Sequence, residues 1–217
     1  MAVDFFMNNK EILDTNIKSD HIMKEGKIRF KTVFLSDKIP SNSKIDKLKK
    51  WTKIFQKQGF TPEINGNYTG NLSFRCNKGF VITASGLRDK ENLMDDCFVY
   101  IKNYDEKSNT FFLEGKMNPS SESVMHYLIY KNCNEINAIF HGHNDSILIS
   151  AEKLELPVTE KEYSPGTLNL AKEVVRLLKK SKLIVLKKHG FVCLGATMEE
   201  AGELALVTLN RSKMENL

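Results

Sequence analysis

Two histidines flank one glycine at His141-Gly142-His143, directly after a run in which Ile136, Ala138 and Phe140 alternate. Residues two apart in a strand project to the same side. His141 and His143 therefore face together, away from Phe140, and two such imidazoles can converge on one metal ion. The same spacing also fits two polar residues at a strand end. His189 adds weight to the metal reading. It lies in Lys188-His189-Gly190, between the apolar runs LIVL and FVCLG, so a turn there brings a third imidazole to the end of a buried strand. Three neutral imidazoles suit Zn²⁺ and leave a position open for substrate. Glu122 is the fourth candidate, in the first turn of a helix opened by Pro119-Ser120-Ser121. Alone, its charge would simply complement a helix start. Beside a metal it can serve as ligand or as general acid/base. His126, one turn further on, reads as a packed or supporting residue, and His21 as a surface one.

A second set of residues could hold an anion. Gly70-Asn71 lies in a glycine-bearing loop, Ser85-Gly86 ends a strand, and Ser120-Ser121 opens the helix. Backbone N–H groups at such turns and helix starts bind phosphate. Gly, Ser and Asn are also ordinary turn residues. Neither GxxxxGK[ST] nor GxGxxG occurs, so nucleoside triphosphate and dinucleotide readings lack support.

These residues need elements to position them. Residues 28–36 read as a strand, and a helix follows from about 42 to 57. The stretch QGFTPEINGNYTG reads as a loop. NLSFR and FVITASG, joined by Cys76-Asn77-Lys78-Gly79, carry a hairpin signature. FVYIK and TFFLEG form a second pair. The second half alternates: helix SESVMHYLIYKN, strand INAIFHGH, helix DSILISAEKL, helix 168–180, strands LIVL and FVCLG. A last helix starts at the capping box Thr197-x-x-Glu200 and reaches about Met214. One mixed α/β domain over 1–217, with residues 1–27 as an N-terminal arm, fits this order best.

Composition excludes several classes. The 217 residues are 41% apolar and 27% charged, with net charge +5, which argues against a disordered chain. Four cysteines form no CxxC, so a zinc ribbon or redox dithiol is excluded on spacing. The start lacks a secretory pattern, and no window reaches about 18 apolar residues. The expected setting is the cytoplasm, where the N-x-S/T triplets at Asn67, Asn71, Asn144 and Asn210 are chance. Lys44, Lys47, Lys49, Lys50, Lys53 and Lys57 lie opposite Ile45, Leu48, Trp51 and Phe55. That is an amphipathic helix with a solvated lysine face, in preference to a nucleic-acid or membrane surface.

In order along the chain stand Gly70-Asn71-Leu72-Ser73-x-Arg75, Ile82-Thr83-Ala84-Ser85-Gly86, Pro119-Ser120-Ser121-Glu122, His141-Gly142-His143, His189-Gly190 and Gly195-x-Thr197-x-x-x-Ala201. This combination resembles the class II aldolase/adducin family over about residues 28–212. The resemblance implies a three-layer α/β/α domain with a mixed, mostly antiparallel central sheet. It implies a homotetramer with sites at subunit interfaces. It also implies one Zn²⁺ per subunit on His141, His143 and His189, with Glu122 as catalytic residue and as ligand of the empty site. Gly70, Asn71, Ser85, Gly86, Ser120 and Ser121 would bind substrate phosphate. The implied activity is aldol cleavage or formation of a C–C bond in a small phosphorylated ketose, with the metal as Lewis acid.

Relatives in that family epimerise ribulose 5-phosphate at C4 or dehydrate methylthioribulose 1-phosphate. The epimerases resemble this chain but carry aspartate at the position of Glu122. The adducin head shares the fold as a cytoskeletal protein, a role that the retained histidines and Glu122 disfavour here. Between His143 and Gly166 the chain is shorter than the family's L-fuculose-1-phosphate aldolase. That enzyme's leaving-group acid is a tyrosine from a neighbouring subunit. Tyr163 is the only tyrosine in the matching stretch of this chain.

Overall fold

The computed structural model describes residues 27–215. The expected N-terminal arm, apart from Lys27, and His21 with it, lie outside the described residues. In chain order the elements are β1 (Lys31–Ser36), α1 (Ile45–Lys57), β2 (Glu63–Ile64), β3 (Asn67–Tyr68), β4 (Asn71–Cys76), β5 (Gly79–Thr83), β6 (Phe98–Asp105), β7 (Thr110–Glu114), α2 (Ser123–Asn132), β8 (Ala138–Gly142), α3 (Asp145–Ile149), α4 (Leu168–Leu177), β9 (Leu183–Leu186), β10 (Gly190–Gly195) and α5 (Met198–Glu215).

Eight strands form one sheet in the order β1-β7-β6-β5-β4-β8-β10-β9. β1 pairs with β7 in parallel, and every other pair is antiparallel. Alternation assigns the two faces. Phe140 of β8 turns toward α1, with its ring 5.3 Å from that of Phe55 and 5.9 Å from that of Trp51. His141, its neighbour, must turn to the other face. α1 and α3 pack on α5 against the first face, while α2 packs on α4. Helices on both faces give the expected α/β/α layering.

Local chemistry accounts for most element boundaries. α1 buries Ile45, Leu48, Trp51, Thr52 and Phe55 and keeps its lysines outward. Lys47 meets Glu199 at 2.9 Å, an exposed pair of little energetic consequence. The helix expected over DSILISAEKL is shorter. Asn144 caps it by accepting from the Ile147 N–H, and it stops at Ile149; Glu155 then adopts φ +53° ahead of Pro157. α4 ends at Leu177, three residues before its expected end. The stretch read as a loop contains the β2–β3 hairpin, turned by Asn65 (φ +53°) and Gly66 (φ +80°). Asn-Gly is a strong signal for that turn.

Arg75 secures the C-terminal end of α2 to β4. Its Nε donates to Ile136 O at 2.9 Å, and its Nη2 donates to Tyr130 O at 2.9 Å and Cys133 O at 2.8 Å. The guanidinium also lies 4.7 Å from the Tyr130 ring centroid. A cation here satisfies the last carbonyls of a helix and complements its dipole. Arg75→Met is expected to cost about 2 kcal/mol of stability, read by urea unfolding, because those carbonyls lose their charged donor.

Candidate metal centre

Four residues from three places meet on the α2 side of the sheet. Glu122 stands at the N-terminal end of α2, His141 on β8, His143 one residue past β8, and His189 in the turn between β9 and β10. One donor atom from each lies within 4.8 Å of all the others. All four are buried. The three imidazole centroids are 4.7, 5.0 and 5.1 Å apart. Gly142 is needed between the histidines, since a Cβ there would come within 2.9 Å of the Phe191 ring and 3.1 Å of Phe60 Cβ. His126 is not in the group. Its Nδ1 lies 2.7 Å from Ser73 Oγ, which in turn lies 2.8 Å from the Tyr130 hydroxyl.

The helix starts later than expected: Ser120 and Ser121 precede it, and Glu122 is not in its first turn. Glu122 itself occupies the N-cap position, and its side chain caps nothing. Ser120 Oγ accepts from the Glu122 N–H at 3.3 Å. The carboxylate turns instead to the histidines: Oε2 lies 2.7 Å from His141 Nε2, and Oε1 lies 3.5 Å from His189 Nε2.

The chemistry of these contacts tests whether a cation fits. His141 Nδ1 is 2.8 Å from the Phe191 carbonyl, which only accepts, so Nδ1 carries the proton. With Nδ1 committed to that carbonyl, Nε2 is the ring atom that meets the carboxylate oxygen. Two buried acceptors at that separation need a proton or a cation between them. Glu122 Oε1 is likewise buried without a hydrogen-bond partner. The backbone contact that fixes the His141 tautomer is the usual support of a metal-binding histidine. The residues present fit a divalent cation held by nitrogen and oxygen.

Electrostatics agree. Burial works against the Glu122 charge, but the surrounding imidazoles, His141 foremost, outweigh it and hold the carboxyl far below the usual carboxylate range. Burial first, then the neighbouring imidazoles His141 and His189, pushes His143 well below its ordinary value. Burial pulls His189 down to about 4 and His126 to about 3. An ionised Glu122 beside neutral His143 and His189 is the protonation state a cation requires. A pH dependence follows for metal-stripped protein. Between about 4 and the ordinary value of 6.5, the unfolded chain takes up a proton that folded His189 refuses. Stability should therefore fall as pH drops through that window and be insensitive to His189 above it. Thermal unfolding from pH 4 to 8 checks this, with a flatter profile expected in His189→Gln.

The six expected phosphate residues fall on adjoining segments. Asn71 pairs with His141 across β4 and β8, and its Nδ2 donates to Glu122 Oε2 at 3.2 Å. Ala84 bridges Pro119, the Ser85 N–H donates to Asn118 O at 2.9 Å, and the Ser120 N–H donates to Thr83 O at 3.3 Å. These bonds bring Ser85-Gly86 beside Ser120-Ser121. Gly70 ends the loop before β4. Tyr163 is half-buried against the apolar core, beneath the Lys161 ammonium. One residue beside the site was missed: Lys90, whose buried ammonium donates to the carbonyls of Thr69 and Gly70. No motif marks it, because only tertiary packing turns it inward.

A buried cluster of three imidazoles and one carboxylate that could hold a metal ion, on a mixed sheet flanked by helices, defines the class as an α/β protein with a candidate metal centre. The family profile for the class II aldolase and adducin N-terminal domain matches residues 46–215, and the chain belongs to that family. It is 34% identical over 147 residues to an L-fuculose phosphate aldolase of Methanococcus vannielii, covering 61% of this chain and 75% of that one. It is 27% identical over 157 residues to an Escherichia coli 5-methylthioribulose-1-phosphate/5-deoxyribulose-1-phosphate aldolase, covering 65% and 70%. The fold is similar to a solved L-fuculose 1-phosphate aldolase, with TM-score 0.66 at 23% identity, covering 81% of this chain and 86% of that one.

Proposed function

We propose that the protein is a divalent-cation-dependent aldolase that cleaves or forms a C–C bond in a small phosphorylated ketose. The observation that carries this reading is the facing pair of acceptors, His141 Nε2 and Glu122 Oε2, inside a buried group with His143 and His189. His141, His143 and His189 would hold the cation, Zn²⁺ by donor type, with Glu122 as an added ligand when no substrate is present. A cation bound there supplies Lewis-acid stabilisation of negative charge developing on a substrate carbonyl or hydroxyl oxygen.

The chain's own groups do the rest. Glu122 would move the proton at the carbon that becomes the carbanion. Asn71 holds that carboxylate in place through its amide. Gly70, Asn71, Ser85, Gly86, Ser120 and Ser121 anchor the substrate phosphate, and this remote binding fixes the reacting carbon beside Glu122. The site's burial excludes bulk water from the reacting carbon. A homotetramer with sites between subunits and a cytoplasmic setting belong to the same reading.

The test is product analysis. Metal-loaded protein is incubated with fuculose 1-phosphate, 5-deoxyribulose 1-phosphate and methylthioribulose 1-phosphate. Release of a three-carbon keto-phosphate and an aldehyde supports the aldolase reading. Loss of water or inversion at C4, without fragmentation, would replace it with dehydratase or epimerase chemistry on the same residues.

A further inference from the structure

Lys90 fastens together the two loops that the proposed phosphate site needs. It sits in the turn that follows Ser85-Gly86. Asp89 shapes that turn, its Oδ1 accepting from the Glu91 N–H at 2.7 Å and the Asn92 N–H at 3.3 Å. Leu87 and Leu93 bury themselves on either side. The Lys90 side chain is thereby driven inward, to 1% exposure. Its Nζ donates to Thr69 O and to Gly70 O, each at 2.5 Å. Its backbone N–H donates to Gln56 Oε1 at 2.8 Å, and the Tyr68 N–H donates to Leu87 O at 2.8 Å. The turn and the Gly70 loop are thus joined by side chain and by backbone.

The consequence is directional. A trans peptide sets its C=O and N–H on opposite sides. When Lys90 draws the carbonyl of Thr69 to its side, the N–H group of Gly70, in the same peptide, points to the other; the Asn71 N–H belongs to the β4–β8 ladder opposite His141. Gly70 takes φ +73°, and a Cβ there would lie 2.8 Å from His141 O, so the loop rests on the strand that carries His141. Asn71 follows at once, with its amide on Glu122. An ammonium fixed beneath this loop also raises the positive potential where a dianion would sit.

We infer that Lys90 is a positioning residue for substrate phosphate: it orients the Thr69–Gly70 peptide, with its N–H turned away from the ammonium, and ties that loop to Ser85-Gly86. The inference rests on the proposed function, in which this loop takes the phosphate.

The experiment titrates inorganic phosphate into zinc-loaded wild type, Lys90→Met and Lys90→Gln by calorimetry. The titrations are repeated on metal-stripped protein, to remove phosphate bound on the cation itself. Zinc content is measured on each sample. Lys90→Met should weaken phosphate binding about tenfold while zinc remains stoichiometric. Lys90→Gln, which keeps an N–H donor, should recover part of that loss. With a ketose phosphate as substrate, KM should rise more than kcat falls. Unchanged phosphate affinity in Lys90→Met overturns the Lys90 assignment alone. Loss of zinc together with phosphate in both variants also overturns it, since Lys90 would then only hold the fold. Wild type that binds no phosphate removes the phosphate reading and this inference with it.

Discussion

Glu122→Gln should leave a folded, metal-loaded protein that turns over substrate about a thousandfold more slowly than wild type. The magnitude follows from the proposed role. The amide keeps the shape of the carboxylate but takes no proton, so only the acid/base contribution is removed. Substrate binding should change little, because the phosphate-holding segments are untouched. Full activity in the variant would sink the assignment of Glu122 as the proton-moving group.

His141→Ala should abolish metal binding. Elemental analysis should read about one zinc per chain in wild type and near none in the variant, with activity at background. His141 is the sharpest choice because it is fully buried and its tautomer is fixed by the Phe191 carbonyl. The loss should also appear in stability. Free zinc at a thousand times its Kd adds about 4 kcal/mol to the folded state, so wild type should gain a large Tm shift on loading. The variant should gain none. A variant that still loads zinc with wild-type affinity would remove His141 from the ligand set.

The histidines were legible because strand alternation is a strict rule. Once Ile136, Ala138 and Phe140 mark the strand, His141 and His143 have to share a face. His189 was legible as the turn between two apolar runs. Glu122 was legible by type and neighbours, but its exact place was not: it reads as a first-turn residue, whereas it holds the N-cap position and spends its side chain elsewhere. Lys90 was invisible for a different reason. A lysine in a polar turn is ordinarily solvated, and only Asp89 and the flanking leucines, acting in three dimensions, turn it inward. α3 ran shorter than its apolar pattern because the chain turns after Ile149 and Glu155 adopts a left-handed conformation. The β2–β3 hairpin carried its signal in Asn65-Gly66, but two-residue strands offer no periodicity to confirm it.

The centre draws on strands β4 and β8 and on the turn between β9 and β10, with Asn71 at one end of the sequence span and His189 at the other. These strands adjoin in the sheet but lie far apart along the chain. Such non-local contacts are slow to form, because loop-closure entropy must be overcome before they contribute. No early hairpin or lone helix contains the donor set, so a cation cannot nucleate this fold. It can bind only after β8 has docked between β4 and β10. Bound there, it couples to the cooperative unit that opens last. Amide exchange in β4, β8 and β10 should slow on metal loading, while fraying of edge strand β1 goes on unchanged.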